Sequence, residues 1–258
     1  MVVDAHVNVD SQRFPVERAL SVLRAARIEH AVIFADPRAA DKDETNRYVL
    51  QVAREHDLFP FYYLGGNPFT DTRPDNLELP DDIERYAGFR WHRWVAEGVD
   101  REGSLDEDEL TWAVSLMESP EFEAMASAAS LYSMPVMFEE SFAVTLEFVL
   151  RYPALDVIVP HLGARNGGQT NILRALWDQP SVYLETSLSQ VDETVLARIG
   201  TERILFGSCY PYGDPEIEIQ KIDTLPIAEE AKEGMYSDNI LHLLSAYLER
   251  NQEANLSE

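Results

Sequence analysis

A regular alternation of short apolar segments with amphipathic ones constrains this chain more than any other feature. The short segments are rich in β-branched and aromatic residues, as strands are, and most are followed by a stretch with helical periodicity. The segment 157–159 is apolar at consecutive positions, which is typical of parallel strands covered on both faces. Strands are predicted near 2–7, 30–36, 58–65, 86–93, 134–139, 155–161, 181–187 and 203–209. Helices are predicted near 15–28, 44–56, 120–132, 141–152, 167–178, 189–199 and 226–249. About eight strand-plus-connection units predict an α/β fold, a single-domain TIM (β/α)8 barrel.

The chain shows no sign of a second domain. It contains no interdomain linker, no repeat and no low-complexity tract, so one barrel is predicted over 1–250, followed by a frayed tail at 251–258. Two polar segments, 68–82 and 96–110, are predicted to be long loops. Long loops after barrel strands commonly form lids or pocket walls.

The charge balance excludes several classes of partner. Acidic residues outnumber basic ones by 46 to 21, which gives a formal net charge of -25. Nucleic acids and anionic membranes attract clustered Lys and Arg, so neither is expected to bind.

No apolar run approaches the roughly 20 residues of a membrane span, and the chain opens on a strand-like segment rather than a signal peptide, so a cytoplasmic location is expected. The single cysteine agrees with a reducing compartment. The acidic surface and the scarcity of lysine fit either a salt-rich cytoplasm or the base composition of the genome.

Four polar residues stand where predicted strands end: His6, Glu139, His161 and Cys209. In a barrel of parallel strands, the carboxyl ends of all strands meet on one face. Residues that are distant in sequence can therefore share one site, and these four are the candidates for it.

Several sequence blocks, in this order and spacing, resemble the amidohydrolase-2 branch of the amidohydrolase superfamily. The resemblance covers nearly the whole chain and implies the TIM-barrel hydrolases and decarboxylases related to aminocarboxymuconate semialdehyde decarboxylase. The blocks are D-A-H at 4–6, T-N-R-Y-V-L-Q-V-A-R-E-H-D at 45–57, F-E-A-M-A-S-A-A-S-L-Y-S-M-P-V at 122–136, Y-P-A-L-D-V-I-V-P-H-L-G at 152–163, V-Y-L-E-T-S at 182–187, R-I-L-F-G-S-C-Y-P-Y-G at 203–213 and Y-S-D-N-I-L-H-L-L at 236–244.

The chain departs from that family's site pattern at three of five positions. His6 and His161 match the histidines expected on the first and sixth strands. Asn8 replaces the second histidine of the first strand, Glu139 replaces the histidine of the fifth, and Cys209 replaces the aspartate of the last.

The resemblance implies a bound metal, and the substituted residues remain usable donors. Imidazole, carboxylate and thiolate groups all bind zinc, and a thiolate favours zinc over magnesium or manganese. The predicted ligands are His6, Glu139 and Cys209, with Asn8 as a weak fourth through its carbonyl oxygen. His161 is predicted to be the proton shuttle or the group that polarises a substrate carbonyl, and Glu139 a further acid-base residue.

Three more residues are predicted to bind substrate. Alternation along the fourth strand puts Arg90 and His92 on one face, and an inward arginine would suit a carboxylate or phosphate. Ser187 matches a family position near the pocket. Alternatives stay open: Arg90 packs over a surface tryptophan, Ser187 caps the next helix, Glu140 is the inward acid of its strand, or Cys209 is a small buried hydrophobe.

Three functions remain open at this point. The first is a metal-dependent hydrolase of a small amide, lactone or ester, or a decarboxylase of a small carboxylate. The second is a metal-free, lactonase-like hydrolase in which His161, His6 and Glu139 do acid-base work. The third is a barrel that has lost catalysis and binds a ligand or partner. A small-molecule substrate is expected in the first two, and the exposed helices are compatible with a homodimer.

Overall fold

Eight parallel strands follow one another in chain order around a nearly closed barrel, in a computed structural model that describes residues 1–65, 78–92 and 111–257 apart from 112, 113 and 116. The last strand returns to the first: the Ala5 amide donates to the Phe206 carbonyl (2.9 Å), and the Asn8 amide to the Tyr210 carbonyl (2.8 Å). This confirms the predicted (β/α)8 barrel. The strands are β1 (Val3–Val9), β2 (His30–Ala35), β3 (Phe59–Gly65), β4 (Gly88–His92), β5 (Val136–Glu139), β6 (Val157–Val159), β7 (Val182–Glu185) and β8 (Ile204–Leu205).

Helices alternate with these strands near the predicted positions, with two differences. The helices are α1 (Val16–Ala25), α2 (Lys42–His56), α3 (Pro120–Leu131), α4 (Phe142–Arg151), α5 (Gln169–Leu176), α6 (Glu193–Ile199), α7 (Pro215–Asp223), α8 (Glu229–Glu233), α9 (Asn239–Leu243) and α10 (Ser245–Ser257). Helix α7 was not predicted, although Asp214 caps it by accepting from the Glu216 amide (3.0 Å) and Pro215 occupies its first turn. The single helix predicted over 226–249 is instead α8, a π-helical turn at Gly234–Asp238, α9 and the start of α10.

The strands separate two apolar cores, which explains their unbroken hydrophobic runs. Val157 and Val159 pack in the outer core between strands and helices, whereas Ile158 packs in the inner core. The inner core also contains Ile240 and Tyr247, so α9 and α10 close the end of the barrel opposite the strands' carboxyl ends. The predicted site residues lie at the other end of the barrel, where the strands have their carboxyl ends.

A one-residue bulge in β1 rotates its side chains. Between two of its pairings with β2, β1 uses one residue more than β2 does. Val3 and Ala5, before the bulge, pack in the inner core, whereas Val7, after it, packs in the outer core. Strict alternation would put all three on the same face. The bulge therefore turns His6 and Asn8 toward the barrel axis.

Several predictions concern segments that lie outside the described residues or at the C-terminus. Residues 68–77 and 96–110, which hold most of the two predicted long loops, lie outside the described residues, as does 93 at the predicted end of β4. Helix α10 continues to Ser257, so the tail predicted to fray from Asn251 is helical that far. Among the described helices, none is both long enough and apolar enough to cross a bilayer.

Candidate active site

His6, His161 and Cys209 form a buried cluster at the carboxyl ends of three strands. One ligand atom from each lies within 4.8 Å of the others. His6 comes from β1, His161 from the turn after β6, and Cys209 from the segment after β8. The backbone is left-handed at His161 (φ 57°) and at Cys209 (φ 56°), a conformation that residues other than glycine seldom adopt. Such positions persist where surrounding contacts hold them, as they do at functional sites.

Both imidazoles are held by acceptors at Nδ1. The His6 Nδ1 lies 2.9 Å from a carboxylate oxygen of Glu185, and the His161 Nδ1 lies 3.0 Å from the Ser187 carbonyl. Carbonyl and carboxylate oxygens only accept, so each Nδ1 carries a proton. Burial lowers the pKa of His6 to about 4 despite the nearby Glu185, which keeps this imidazole neutral. A neutral imidazole that is held at Nδ1, as His6 is, can bind a metal ion through Nε2.

Glu185 connects the two histidines and was not predicted from the sequence. Its carboxylate accepts from the Ser187 hydroxyl (2.9 Å), the Ser187 amide and the His161 amide (3.3 Å), as well as from His6. Burial alone would raise its pKa, but the hydrogen bonds that it accepts from His6 and from the Ser187 amide hold it below its usual range. Gly207 leaves room for this carboxylate, since a Cβ there would lie 2.3 Å from it. An acid at the end of the apolar strand V-Y-L-E was the available signal.

Glu139 belongs to a neighbouring ion pair. The Arg90 guanidinium donates to its carboxylate, the His92 Nε2 lies 3.4 Å away, and the His161 Nε2 lies 3.8 Å away. Burial by itself would raise the pKa of Glu139, but the charges of His92 and Arg90 hold it well below its ordinary value. Glu139 is therefore an ionised carboxylate, and it is the inward acid of β5 because it alternates with Met137 of the inner core.

The remaining predicted residues are engaged in specific contacts. The Asn8 Nδ2 donates to the Tyr210 carbonyl (3.0 Å), which leaves its Oδ1 as the atom that could bind a metal. Arg90 is 1% exposed, and its guanidinium lies over the Phe34 ring at 5.3 Å, so it lies inside the barrel next to the inner core. Ser187 does not cap α6, because Asp192 does so.

The structure thus brings the predicted residues to one rim but groups them differently from the predicted ligand set. His6 and Cys209 lie with His161, whereas Glu139 lies beside them in the ion pair with Arg90. Two imidazoles and one thiol suit zinc, and three protein ligands with one open position are typical of catalytic zinc. Burial, together with the charges of nearby carboxylates, raises the pKa of the Cys209 thiol well above its usual value, so the thiol stays protonated unless a cation is bound.

A second acid that the sequence did not single out supports the bulge. Asp4 accepts from the backbone amides of His6 and Ser208, both at 2.9 Å. Burial raises its pKa to about 7. Asp4 therefore joins the segment after β8 to β1 at the residue where His6 turns inward.

Comparisons with known proteins bear on the fold and on the family. A search of curated proteins found no match. Among solved structures, amidohydrolase 2 from Bifidobacterium longum subsp. infantis is similar with a TM-score of 0.65 at 17% identity, covering 95% of this chain and 98% of that one. A Pseudomonas putida protein assigned as a 2-pyrone-4,6-dicarboxylic acid hydrolase gives 0.65 at 17%, covering 95% and 97%. A 2,6-dihydroxybenzoate decarboxylase from Rhizobium gives 0.61 at 12%, covering 95% and 98%. At such identities these likenesses show the fold. The amidohydrolase family profile matches residues 4–245, and the chain belongs to that family.

Proposed function

We propose that this protein is a metal-dependent enzyme that acts on a small carboxylate-bearing molecule, either hydrolysing a lactone, ester or amide bond or removing a carboxyl group. The observation that carries the proposal is the buried cluster of His6, His161 and Cys209. Similar folds belong to an assigned hydrolase of 2-pyrone-4,6-dicarboxylic acid and to a decarboxylase of 2,6-dihydroxybenzoate, both of which are named for carboxylates.

His6, His161 and Cys209 would hold the metal, and their donor atoms favour zinc. A zinc ion there would supply Lewis-acid chemistry toward an oxygen of the substrate or of water. Glu185 and Ser187 orient the two imidazoles through their Nδ1 atoms. Cys209 would give up its thiol proton on binding the metal, so the affinity would depend on pH.

Glu139 is the residue best placed to move a proton. It is ionised, it is the inward acid of β5, and its carboxylate lies 3.8 Å from the His161 Nε2. The Arg90 guanidinium holds the Glu139 carboxylate in place by donating a hydrogen bond to it. His92 lies 3.4 Å from the same carboxylate oxygen, and its side chain is 12% exposed, so it can pass a proton on toward solvent. His92 is also the residue of this group that can touch substrate.

One observation favours a second candidate, a metal-free hydrolase. Glu139, His92 and His161 already form an acid-base group without any cation besides Arg90, and the thiol of Cys209 is protonated in the absence of metal. In that case His161 and Glu139 would exchange protons with a water and with the leaving group of a lactone or ester.

Metal analysis separates the two candidates. Protein purified without chelator is expected to carry about one zinc per chain, as a three-ligand site with one open position would. Cys209→Ser and His6→Ala should remove the metal. His30→Ala should not, because His30 is the first residue of β2 and lies at the end of the barrel away from the site. Turnover would then be sought on a panel of lactones, esters and aromatic carboxylates. Full activity of metal-free protein would replace the first candidate with the second.

A further inference from the structure

All three lysines of the chain donate to main-chain carbonyls. Lys42 donates to the carbonyls of Pro37 and Ala39, each at 2.8 Å, in the loop after β2. Lys232 donates to the Asp223 carbonyl (2.8 Å) and to the Glu229 carboxylate (2.9 Å). An ammonium group has three donors and no acceptor, so it can replace several backbone hydrogen bonds where the chain has no regular structure. Lys221 uses this property next to the site.

Lys221 and Glu218 hold the loop after β7 from the outside. The Lys221 Nζ donates to the carbonyls of Thr186 and Ser189, each at 2.7 Å, and to the Glu218 carboxylate. The other oxygen of Glu218 accepts from the Leu188 amide (3.0 Å). Helix α7 thus binds three backbone groups within residues 186–189.

Two residues of this loop, Ser187 and Ser189, also contact His161. The carbonyl and hydroxyl of Ser187 lie 3.0 and 2.9 Å from the His161 Nδ1. The Ser189 hydroxyl donates to the His161 carbonyl (2.6 Å). The loop also contains Leu188 in a left-handed conformation (φ 55°), which is unfavourable for a residue with a side chain and persists where surrounding contacts hold it.

We propose that Lys221 and Glu218 are positioning residues that fix the imidazole of His161 through residues 186–189. The inference rests on the proposed function in so far as His161 has a chemical role. Without these two side chains, referred to as the Lys221–Glu218 clamp, residues 186–189 lose their hydrogen bonds to helix α7, and Leu188 can relax from its left-handed conformation. The acceptors at the His161 Nδ1 then move, and the imidazole is no longer confined to one tautomer.

The chain provides a matched control. Lys232 is another largely buried lysine (8% exposed) that pairs with a glutamate three residues before it and donates to a carbonyl. Its contacts are to α7 and α8 and not to residues 186–189. Lys221→Met and Lys232→Met therefore remove similar interactions at different places. Glu218→Gln is a milder third variant, because it keeps an acceptor for the Leu188 amide and loses the charge that pairs with Lys221.

The first measurement is nuclear magnetic resonance of full-length, metal-free protein with ¹⁵N-labelled histidine. Two-bond correlations distinguish a protonated ring nitrogen from one with a lone pair, and His161→Gln identifies the signal among the six histidines. Wild-type and Lys232→Met protein should show His161 with the proton on Nδ1. Lys221→Met should shift both ring nitrogens toward the average of the two tautomers, and Glu218→Gln should do so less. If Lys221→Met does not fold, Glu218→Gln decides alone.

The second measurement is zinc affinity, by competition with a chelating indicator. Loss of a residue that orients a ligand typically weakens metal binding about 10- to 100-fold, which is expected for Lys221→Met and not for Lys232→Met. Unchanged His161 signals in Lys221→Met and Glu218→Gln, or equal changes in Lys232→Met, would overturn the proposal. If wild-type protein binds no zinc, the proposed function fails, and the resonance comparison still decides whether the clamp positions His161.

Discussion

The mouth of the barrel has two sides, each built around a buried carboxylate. On the first side, Glu185 holds His6 and accepts from main-chain amides and the Ser187 hydroxyl. On the second side, Glu139 is bound by the Arg90 guanidinium and lies near His92. Both carboxylates have a lowered pKa, but the main partners differ.

One residue type therefore serves two roles at the mouth of the barrel. Glu185 is surrounded by donors that it orients, so its carboxylate acts through other residues. Glu139 is paired with a group that is always charged, so it stays ionised. We therefore expect the Glu185 side to control metal binding and the Glu139 side to control proton transfer. The following predictions can break this division.

Glu139→Gln is expected to have the largest effect on turnover. Loss of a general acid-base group typically costs about 10²- to 10⁴-fold in rate, and we expect this loss in kcat with zinc content unchanged. Glu140→Gln is the control, because that neighbouring side chain accepts from the Ser141 amide instead (3.0 Å). Zinc analysis alongside kinetics sharpens the division: if zinc is lost with Glu139, that residue is a ligand.

Arg90→Met should destabilise the fold by about 3–5 kcal/mol, because it leaves the Glu139 carboxylate buried without its partner. The free energy of unfolding in urea measures this effect. The double variant Arg90→Met with Glu139→Gln removes the unpaired charge and should recover part of the loss. A double variant as unstable as the single one would show that Arg90 acts through packing on Phe34, not through the ion pair.

Glu185→Gln should weaken zinc binding by about 10- to 100-fold, since the amide is a poorer acceptor for the His6 Nδ1 proton. Competition with a chelating indicator measures the change, and Glu139→Gln is the matched comparison from the other side. Equal losses in the two variants would end the distinction between the sides.

The smallest expected effect concerns Lys42, whose ammonium lies over the Tyr63 ring (5.4 Å) next to His92. Burial lowers its pKa from 10.5 to about 8. Between these values the unfolded chain holds more protons than the folded one, so this group makes stability rise with pH through that window. Because Lys42 is half-buried, the gain from pH 8 to 10.5 is expected to be about 1 kcal/mol or less, relative to Lys42→Met. Urea unfolding of both proteins at the two pH values measures it, and a relative loss would contradict the lowered pKa.

Much of the architecture could be predicted from local pattern. Strands such as β6 are apolar at every position because both faces are covered, and that signal depends only on neighbouring residues. Helix α7 was missed although Asp214-Pro215-Glu216 is a good helix start. Missing α7 also concealed Lys221 and Glu218, whose contacts lie about 30 residues away in the chain.

The division of the site could not be predicted. Glu139 was expected to be a ligand because a carboxylate suits zinc, but its nearest partner is 49 residues earlier in the sequence. Glu185 binds His6 across 179 residues. Sequence pattern identifies residue types that could bind a metal, and it carries no information on which partner each of them meets.

Periodicity and strand direction were enough to predict that eight parallel strands close into a barrel and that polar residues at their carboxyl ends share one rim. Which of those residues meet depends on how the elements pack in the folded chain. The bulge in β1 turns His6 inward, Arg90 forms an ion pair with Glu139, and Glu185 accepts a hydrogen bond from His6. Each outcome depends on distances between elements that pack together only in the folded chain, so no local pattern could have fixed it.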